Sequence, residues 1–278
     1  MTSVTARIKQ IKQPRGGFIK PSEFTPILLE DDQILNEEEN IHGILVGLCV
    51  EYLTRLIVTN DRMEAFRISI QGAKRAEGFG EIGLLEVLLN LLEGVRGLDD
   101  QSIINACKIV TFDTWLRNPG KAKQTKGYNE INPDKSTVEN IRILVKRSLS
   151  FFEIYGPVVK DGFTFEPVAP NDDEFYEMKL FKGHTYGGYT HTVQSGDGDF
   201  LTEDTLWDFK VSRSKPTSQH TLQLLMYWIM GQHSGQDVYK LIDKLGIFNP
   251  RFNTIYTIDV NNISKEVIDT IENEIICY

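Results

Sequence analysis

The stretch GDGDFLTEDTLWDFK, residues 196–210, places five acids, three aromatic residues and a closing lysine close together. Its centre, TEDT (202–205), separates two short runs that contain bulky aromatic and aliphatic residues, which predicts a β-hairpin. Every symmetric loop length around this centre gives the same strand register. That register pairs Leu201 with Leu206, Phe200 with Trp207, and Asp199 with Asp208.

The predicted register sorts the side chains of the hairpin onto two faces, because successive residues of a strand point to opposite sides. One face collects the aromatic residues and can enter a core, with Phe200 and Trp207 as a cross-strand pair. The other face carries Asp199, Asp208 and Lys210. Two opposed aspartates, with Cβ atoms about 4.5–5.5 Å apart, destabilise a sheet unless a cation lies between them. Hard carboxylate oxygens favour Mg²⁺ or Mn²⁺, so the pattern predicts a divalent-cation site.

The composition is that of an ordinary globular protein, with 278 residues, 41% hydrophobic residues and a net charge of −9. No apolar run approaches the roughly 18–20 residues of a membrane span, and the first residues are basic and polar where a signal peptide needs an apolar segment. We therefore expect a cytoplasmic protein that makes no membrane contact. Cys49, Cys107 and Cys277 are far apart in the sequence, which predicts reduced thiols rather than a disulfide framework or a CxxC metal site.

Basic residues are concentrated in two regions, although the whole chain is acidic. Residues 1–20 contain five lysines and arginines and no acid, and the acidic run EDDQILNEEE (30–39) follows them. A second basic run, RNPGKAKQTKG (117–127), precedes a helix with further cations. Each region is consistent with a solvated loop or with contacts to phosphate groups. The net charge argues against a protein that coats nucleic acid non-specifically.

Apolar residues recur at helical spacing in residues 40–58, 80–94, 100–117 and 136–154, so the first half of the chain is predicted to be mostly helical. After Pro157 the pattern changes to short segments rich in aromatic and β-branched residues, which predict strands. The expected elements of this half are the strands FTFEPV (163–168), EFYEMKLF (174–181), GGYTHTVQ (187–194) and FNTIYTIDV (252–260), a helix over 214–232 capped by Thr217 or Ser218, a short helix at 236–246, and a C-terminal helix from about Ser264.

An aspartate at the end of one strand, followed after about ten residues by Asp-X-Lys on the next strand, resembles the signature of the PD-(D/E)XK nuclease superfamily. Here the pattern reads Asp199 and then DFK, residues 208–210. The following helix carries QLLMY, in which Gln223 and Tyr227 resemble the Gln-X-X-X-Tyr motif of the RecB-like and phage-type exonuclease branch. These two residues stand at i and i+4, on one face of a helix. A similar pattern in NDDEFYEMK (171–179) leaves too few residues between its acids for a hairpin.

The resemblance implies an α/β fold of the α+β type with a restriction-endonuclease-like core. This core is a central mixed β-sheet flanked by helices in αβββαβ order, with a large helical insertion. The resemblance covers residues 40–58 and 160–262, and the second range holds the catalytic sheet and the helix with Gln223. Residues 60–155 are then the helical insertion and residues 1–39 a basic and then acidic arm, all within one nuclease domain over 1–278.

The resemblance also implies the ligands of a metal ion. Asp199, Asp208 and the backbone carbonyl of Phe209 are expected to bind Mg²⁺, for which Mn²⁺ can substitute. Glu51, in the first helix of the core, is expected to complete the site directly or through water. His42, earlier in the same region, is the alternative to Glu51.

Further residues acquire roles by the same resemblance. Lys210 is expected to orient or deprotonate the attacking water, or to neutralise charge that develops on the phosphate. Gln223 is expected to orient Lys210 or a substrate phosphate. The expected substrate-binding residues are Tyr227, Ser212, Arg213, Lys215 and His220.

The implied function is magnesium-dependent hydrolysis of phosphodiester bonds in DNA by an exonuclease of phage or bacterial recombination, repair or defence. One alternative is a restriction-like endonuclease built on the same core. The other is a non-catalytic DNA-binding or assembly protein that retains the fold. The expected partners are DNA and either further copies of the chain or a recombination or defence protein.

Overall fold

The structure, a computed structural model, describes residues 2–166 and 184–278. The chain divides into two units, each with its own packing. Unit 1 comprises Met1–Leu29 and Phe152–Tyr278, and unit 2 comprises Glu30–Phe151. The predicted strand EFYEMKLF (174–181) and the pattern NDDEFYEMK (171–179) lie outside the described residues.

The helices of the described residues fall in both units. In chain order they are α1 Val4–Gln10, α2 Gly43–Thr59, α3 Arg62–Ala65, α4 Arg67–Gly78, α5 Leu84–Glu93, α6 Asp100–Ile109, α7 Asp113–Arg117, α8 Pro119–Ala122, α9 Lys135–Tyr155, α10 Ser218–His233 and α11 Lys265–Thr270. The helices expected from apolar spacing in the first half of the chain are therefore present. The C-terminal helix predicted from about Ser264 is α11, and the side chain of Ser264 caps it.

Unit 1 is an α+β structure around a mixed seven-stranded sheet with the strand order β1-β7-β6-β5-β4-β2-β3. Strand β4 pairs antiparallel with both β2 and β5, β3 pairs in parallel with β2 at the sheet edge, and β5 pairs in parallel with β6. A parallel neighbour requires a crossover connection, which α10 provides. The strands are β1 Thr25–Leu28, β2 Lys160–Glu166, β3 His184–Tyr186, β4 Gly196–Leu201, β5 Thr205–Phe209, β6 Lys244–Asn249 and β7 Thr254–Asp259.

The hairpin of β4 and β5 has the register that the sequence predicts. Leu201 pairs with Leu206, and Phe200 pairs with Trp207. The rings of Phe200 and Trp207 stack with centroids 6.4 Å apart, and the ring of Phe152 packs on Phe200. Leu201 and Leu206 belong instead to the core that includes α10. Both faces of the hairpin are therefore buried, one under α9 residues and the other under α10.

Two predicted elements of this half are wrong. GGYTHTVQ (187–194) is not a strand, because Gly187 and Gly188 have φ angles of +91° and +68°, which lie outside the β region. The predicted helix at 236–246 is a short 3₁₀ turn, Asp237–Leu241, followed by β6. The run KLGIFN of β6 is buried along almost its whole length, as is typical of a strand with parallel pairing in the middle of a sheet.

Unit 2 is helical and is held by buried polar contacts as well as by apolar packing. The carboxylate of Asp113 in α7 accepts hydrogen bonds from Tyr52 of α2 and Ser69 of α4, both at 2.5 Å. Burial raises the pKa of this carboxyl group, while its hydrogen bonds act in the opposite direction. Cys49 and Cys107 are buried free thiols, whereas Cys277 in unit 1 is an exposed one.

Helices of the described residues are too short or too polar to cross a bilayer.

Candidate active site

The candidate carboxylates lie where the β4–β5 ladder ends. The paired residues stop at Phe200 and Trp207, so Asp199 and Asp208 are not a ladder pair. The backbone N–H of Phe209 donates instead to Oδ2 of Asp199 at 2.5 Å. In the continued register this N–H would point at the backbone of β4. The Asp199 side chain therefore takes the place of a backbone acceptor at the end of the hairpin.

Asp208 makes an ion pair with the lysine that the sequence places two residues later. Its Oδ1 lies 2.8 Å from Nζ of Lys210, and the side chains of Asp208 and Lys210 are 3% and 28% exposed. Its other oxygen, Oδ2, is buried and has no hydrogen-bond donor among the residues that the structure describes. A buried carboxylate oxygen without a partner is costly, so this atom marks a position where a positive group would be strongly favoured.

Helix α10 carries polar side chains at one-turn spacing, and two of them lie within electrostatic range of the carboxylates. Nε2 of Gln223 donates to Oη of Tyr227 at 2.8 Å, as their i and i+4 positions allow. Burial raises the pKa of Tyr227, the hydrogen bond from Gln223 acts in the opposite direction, and the charges of Asp208, Asp197 and Asp199 add to the increase. All three carboxylates therefore lie within electrostatic range of one phenol.

His220 lies one turn before Gln223 and is half-buried. Burial lowers the pKa of its imidazole; Asp208 opposes this shift and Lys210 adds to it. Its Nδ1 accepts from the backbone N–H of Thr217 at 3.2 Å, so Nε2 carries the proton of the neutral ring. His220 is thus held at the start of α10 in electrostatic contact with the Asp208–Lys210 pair.

The other predicted substrate-binding residues lie in the loop between β5 and α10. Ser212 is half-buried, and Arg213 and Lys215 are exposed. Asn249, at the end of β6, holds this loop because its Nδ2 donates to the carbonyl of Ser212 at 2.8 Å. Asn249 is not among the residues that the sequence predicts for the site. The only signal in the sequence is its position before a proline in NPRF (249–252).

The glycines among the acids allow β4 to lie directly against aromatic rings. An ideal Cβ at Gly198 would lie 1.8 Å from Cζ of Phe163, and one at Gly196 would lie 2.9 Å from Cε1 of Tyr227. Either methyl group would require a shift of the neighbouring ring. The sequence GDGD therefore combines close packing at the glycines with carboxylates at the residues between them.

Two predicted metal ligands belong to unit 2. Glu51 in α2 pairs with Arg55 at 3.2 Å and is 33% exposed. His42 is the N-cap of α2, and its Nδ1 accepts from the N–H of Ile44 at 3.2 Å. A role for Glu51 or His42 in metal binding stays a prediction, as does the role of the Phe209 carbonyl.

Within residues 2–166 and 184–278, no group of three or more histidine, cysteine, aspartate and glutamate side chains is arranged to hold a metal ion. Metal binding by the carboxylates of Asp199 and Asp208 therefore stays a prediction. Comparison of the chain with protein-family models, curated proteins and solved structures found no match.

Proposed function

We propose that the protein is a magnesium-dependent deoxyribonuclease, an exonuclease with a restriction-endonuclease-like core. The observation that carries the proposal is the state of Asp208, a buried carboxylate with one oxygen on Lys210 and the other without a donor among the described residues. The sheet supports it, because the antiparallel set β2-β4-β5 and the α10 crossover to a parallel β6 agree with the βββαβ part of the fold that the resemblance implies, to which β3 is added at the edge.

The donor atoms suit Mg²⁺ or Mn²⁺. Both cations prefer oxygen ligands, and Mg²⁺ usually takes one or two carboxylates and completes its shell with waters and substrate phosphates. Asp199 and Asp208 would hold the ion, with the Phe209 carbonyl and Glu51 as further candidates. When bound, such an ion supplies Lewis-acid stabilisation of a phosphoryl oxygen and an acidified water.

The side chains around the carboxylates would contact the substrate phosphate or the attacking water. Lys210, held by Asp208 and 28% exposed, can direct its ammonium toward a phosphate or an attacking water. Gln223 donates to Tyr227, whose hydroxyl lies within electrostatic range of the carboxylates, so its amide would be held ready to orient Lys210 or a phosphate. His220, neutral at pH 7 because its pKa is lowered, would offer an Nε2–H donor to a phosphate oxygen.

The proposal is tested by incubating linear duplex and single-stranded DNA with the purified protein and Mg²⁺ or Mn²⁺. Asp208→Ala and Lys210→Ala should each lower cleavage by about 100-fold or more, a typical effect of losing an electrostatic group at the reacting phosphate. The matched control is Asp204→Ala with Lys244→Ala, which removes an aspartate–lysine pair at the turn end of the same hairpin. Equal cleavage by the wild type and by both site variants would refute the proposal.

Closed circular DNA separates the two catalytic alternatives. An exonuclease needs an end and should leave the circle intact, whereas a restriction-like endonuclease should linearise it. Binding of DNA without cleavage of either substrate would favour the non-catalytic alternative.

A further inference from the structure

The N-terminal segment of unit 1 is basic and passes over the start of α10. Residues 1–22 contain five lysines and arginines and no acid. Another acid-free stretch, residues 209–236, contains Lys210, Arg213 and Lys215 and includes the whole of α10. About one residue in seven of the complete chain is acidic. Two stretches from which acids are excluded therefore need a local explanation.

The contacts of the segment bring these two stretches together. Val4 donates its N–H to the carbonyl of Ser195 at 2.8 Å, which places α1 beside β4. Farther along, Oγ1 of Thr221 donates to the carbonyl of Ile19 at 2.7 Å. An ideal Cβ at Gly17, which has a φ of +105°, would lie 2.5 Å from Cβ of Ser218. The glycine thus permits the chain to lie directly on the first turn of α10.

The strand order and the contacts at Gly17 and Ile19 show where residues 11–24 pass over α10. β4 lies on one side of the β5–β6 pair that α10 connects, and β1 lies at the sheet edge on the other side. Residues 11–24 therefore cross α10 at the end that follows Lys210 and carries His220. The segment is part of the structure of unit 1 and delivers its cations to the same end of α10 as the candidate active site.

Three lysine and arginine side chains of the segment are available to a ligand. Lys12, Arg15 and Lys20 are exposed and have no ion-pair or hydrogen-bond partner for their side chains within the described part of the chain. The first turn of α10 contains no acid. Arg213 and Lys215, exposed in the adjoining loop, extend the same charge. These five residues are called the basic crossing below.

We propose that the basic crossing binds the phosphate backbone of DNA and leads the strand to the candidate active site. This inference rests on the proposed function for the identity of the polyanion. The observation behind it is the meeting of two acid-free stretches at one helix end in a protein of net charge −9. Lysine and arginine contacts to phosphates bind DNA without sequence preference and release counterions. Positive potential concentrated at one edge also steers a polyanion to that edge.

The test measures binding separately from cleavage. Fluorescence anisotropy of a labelled linear duplex is recorded in chelator over a range of salt concentrations for the full-length protein. The variant Lys12→Ala, Arg15→Ala, Lys20→Ala should bind at least about tenfold more weakly near 0.1 M salt and should lose about 0.9 from the salt-dependence slope for each phosphate contact removed. The control variant, with Lys240, Lys244 and Lys265 changed to Ala, makes the same change in net charge in unit 1 and should bind like the wild type.

A charge-preserving variant, Lys12→Arg, Arg15→Lys, Lys20→Arg, should retain the wild-type slope. Unchanged DNA binding by the alanine variant, or an equal loss of binding in the control variant, would refute the proposal that the basic crossing binds DNA. Preferential binding to phosphatidylserine vesicles over DNA would also overturn it, since the surface would then serve a membrane. Cleavage assays with Mg²⁺ test the proposed nuclease site independently. DNA binding in chelator can persist when cleavage is absent, and cleavage can persist when the basic crossing makes no contribution to binding.

Discussion

Replacement of Lys210 by methionine should expose the dependence of a buried carboxylate on the ammonium group that pairs with it. The side chain of Asp208 is 3% exposed, with Oδ1 2.8 Å from Nζ of Lys210 and Oδ2 without a donor in the described residues. Lys210→Met leaves both oxygens unpaired. Removing one partner of a buried pair costs about 3–5 kcal/mol, and the 28% exposure of Lys210 places the expected loss near 3 kcal/mol.

Asp208→Asn should behave differently, because it removes the buried charge and keeps an oxygen that can accept from Lys210. We expect its free energy of unfolding in chelator to lie within about 1 kcal/mol of the wild type. The double variant Asp208→Asn, Lys210→Met should then resemble Asp208→Asn. The cycle would give a coupling energy of about 3 kcal/mol, measured by urea denaturation of the four proteins.

Two results would refute this reasoning. One is a Lys210→Met variant as stable as the wild type, and the other is a double variant as unstable as Lys210→Met. Added Mg²⁺ provides an independent measurement, because a ligand that binds only the folded state raises stability. It should stabilise the wild type and Lys210→Met more than Asp208→Asn.

Three further predictions concern packing, a hydrogen bond and pH. Gly198→Ala should lower the free energy of unfolding by about 1–3 kcal/mol, because its methyl group overlaps a phenylalanine ring, whereas Gly78→Ala, with open space at its Cβ, should be neutral or stabilising in the same urea assay. Tyr227→Phe should cost about 1 kcal/mol in that assay and lower DNA cleavage, since it removes the acceptor of the Gln223 amide; unchanged values for both would contradict the positioning role. Asp31→Asn should cost about 1 kcal/mol at pH 7. Hydrogen bonds from Arg147 lower the pKa of Asp31, so this contribution is present above the unfolded-state value of about 3.9 and is lost as the pH falls through the folded-state value. Urea denaturation at pH 7 and pH 3 should show the wild type and the variant converging at the lower pH, and a constant difference would contradict the assignment.

The register of the β4–β5 hairpin could be read from the sequence because it depends on local rules. A symmetric turn and the two-residue period of a strand fix which side chains face each other. The end of the ladder could not be read in this way. The ladder ends because the carboxylate of Asp199, rather than a backbone carbonyl of β4, accepts the N–H of Phe209. The local sequence does not indicate which of these two acceptors the N–H uses.

The features that the sequence did not predict are those that depend on contacts with residues far away in the chain. Only the first three residues of β6 fall within the helix predicted at 236–246, and the strand character of this segment comes from burial between two neighbouring strands. Gly246 in β6 would meet the ring of Trp207 at 2.3 Å if it carried a Cβ, a constraint that only the folded sheet reveals. Asn249 is connected to the site because it donates a hydrogen bond to the loop between β5 and α10, which is distant from it in the sequence.

The distribution of charge in unit 1 explains how an acidic chain can present a positive surface beside its acids. Asp208 is buried under Lys210, and Asp204 at the other end of the hairpin pairs with Lys244. The acids that the hairpin brings together are thus partly covered or paired, whereas Lys12, Arg15 and Lys20 remain exposed. Field strength at a surface depends on the nearest unpaired charges rather than on the sum over the chain, because salt screens charges beyond about 10 Å. The net charge of −9 is therefore no measure of the potential that a strand of DNA would meet at the start of α10.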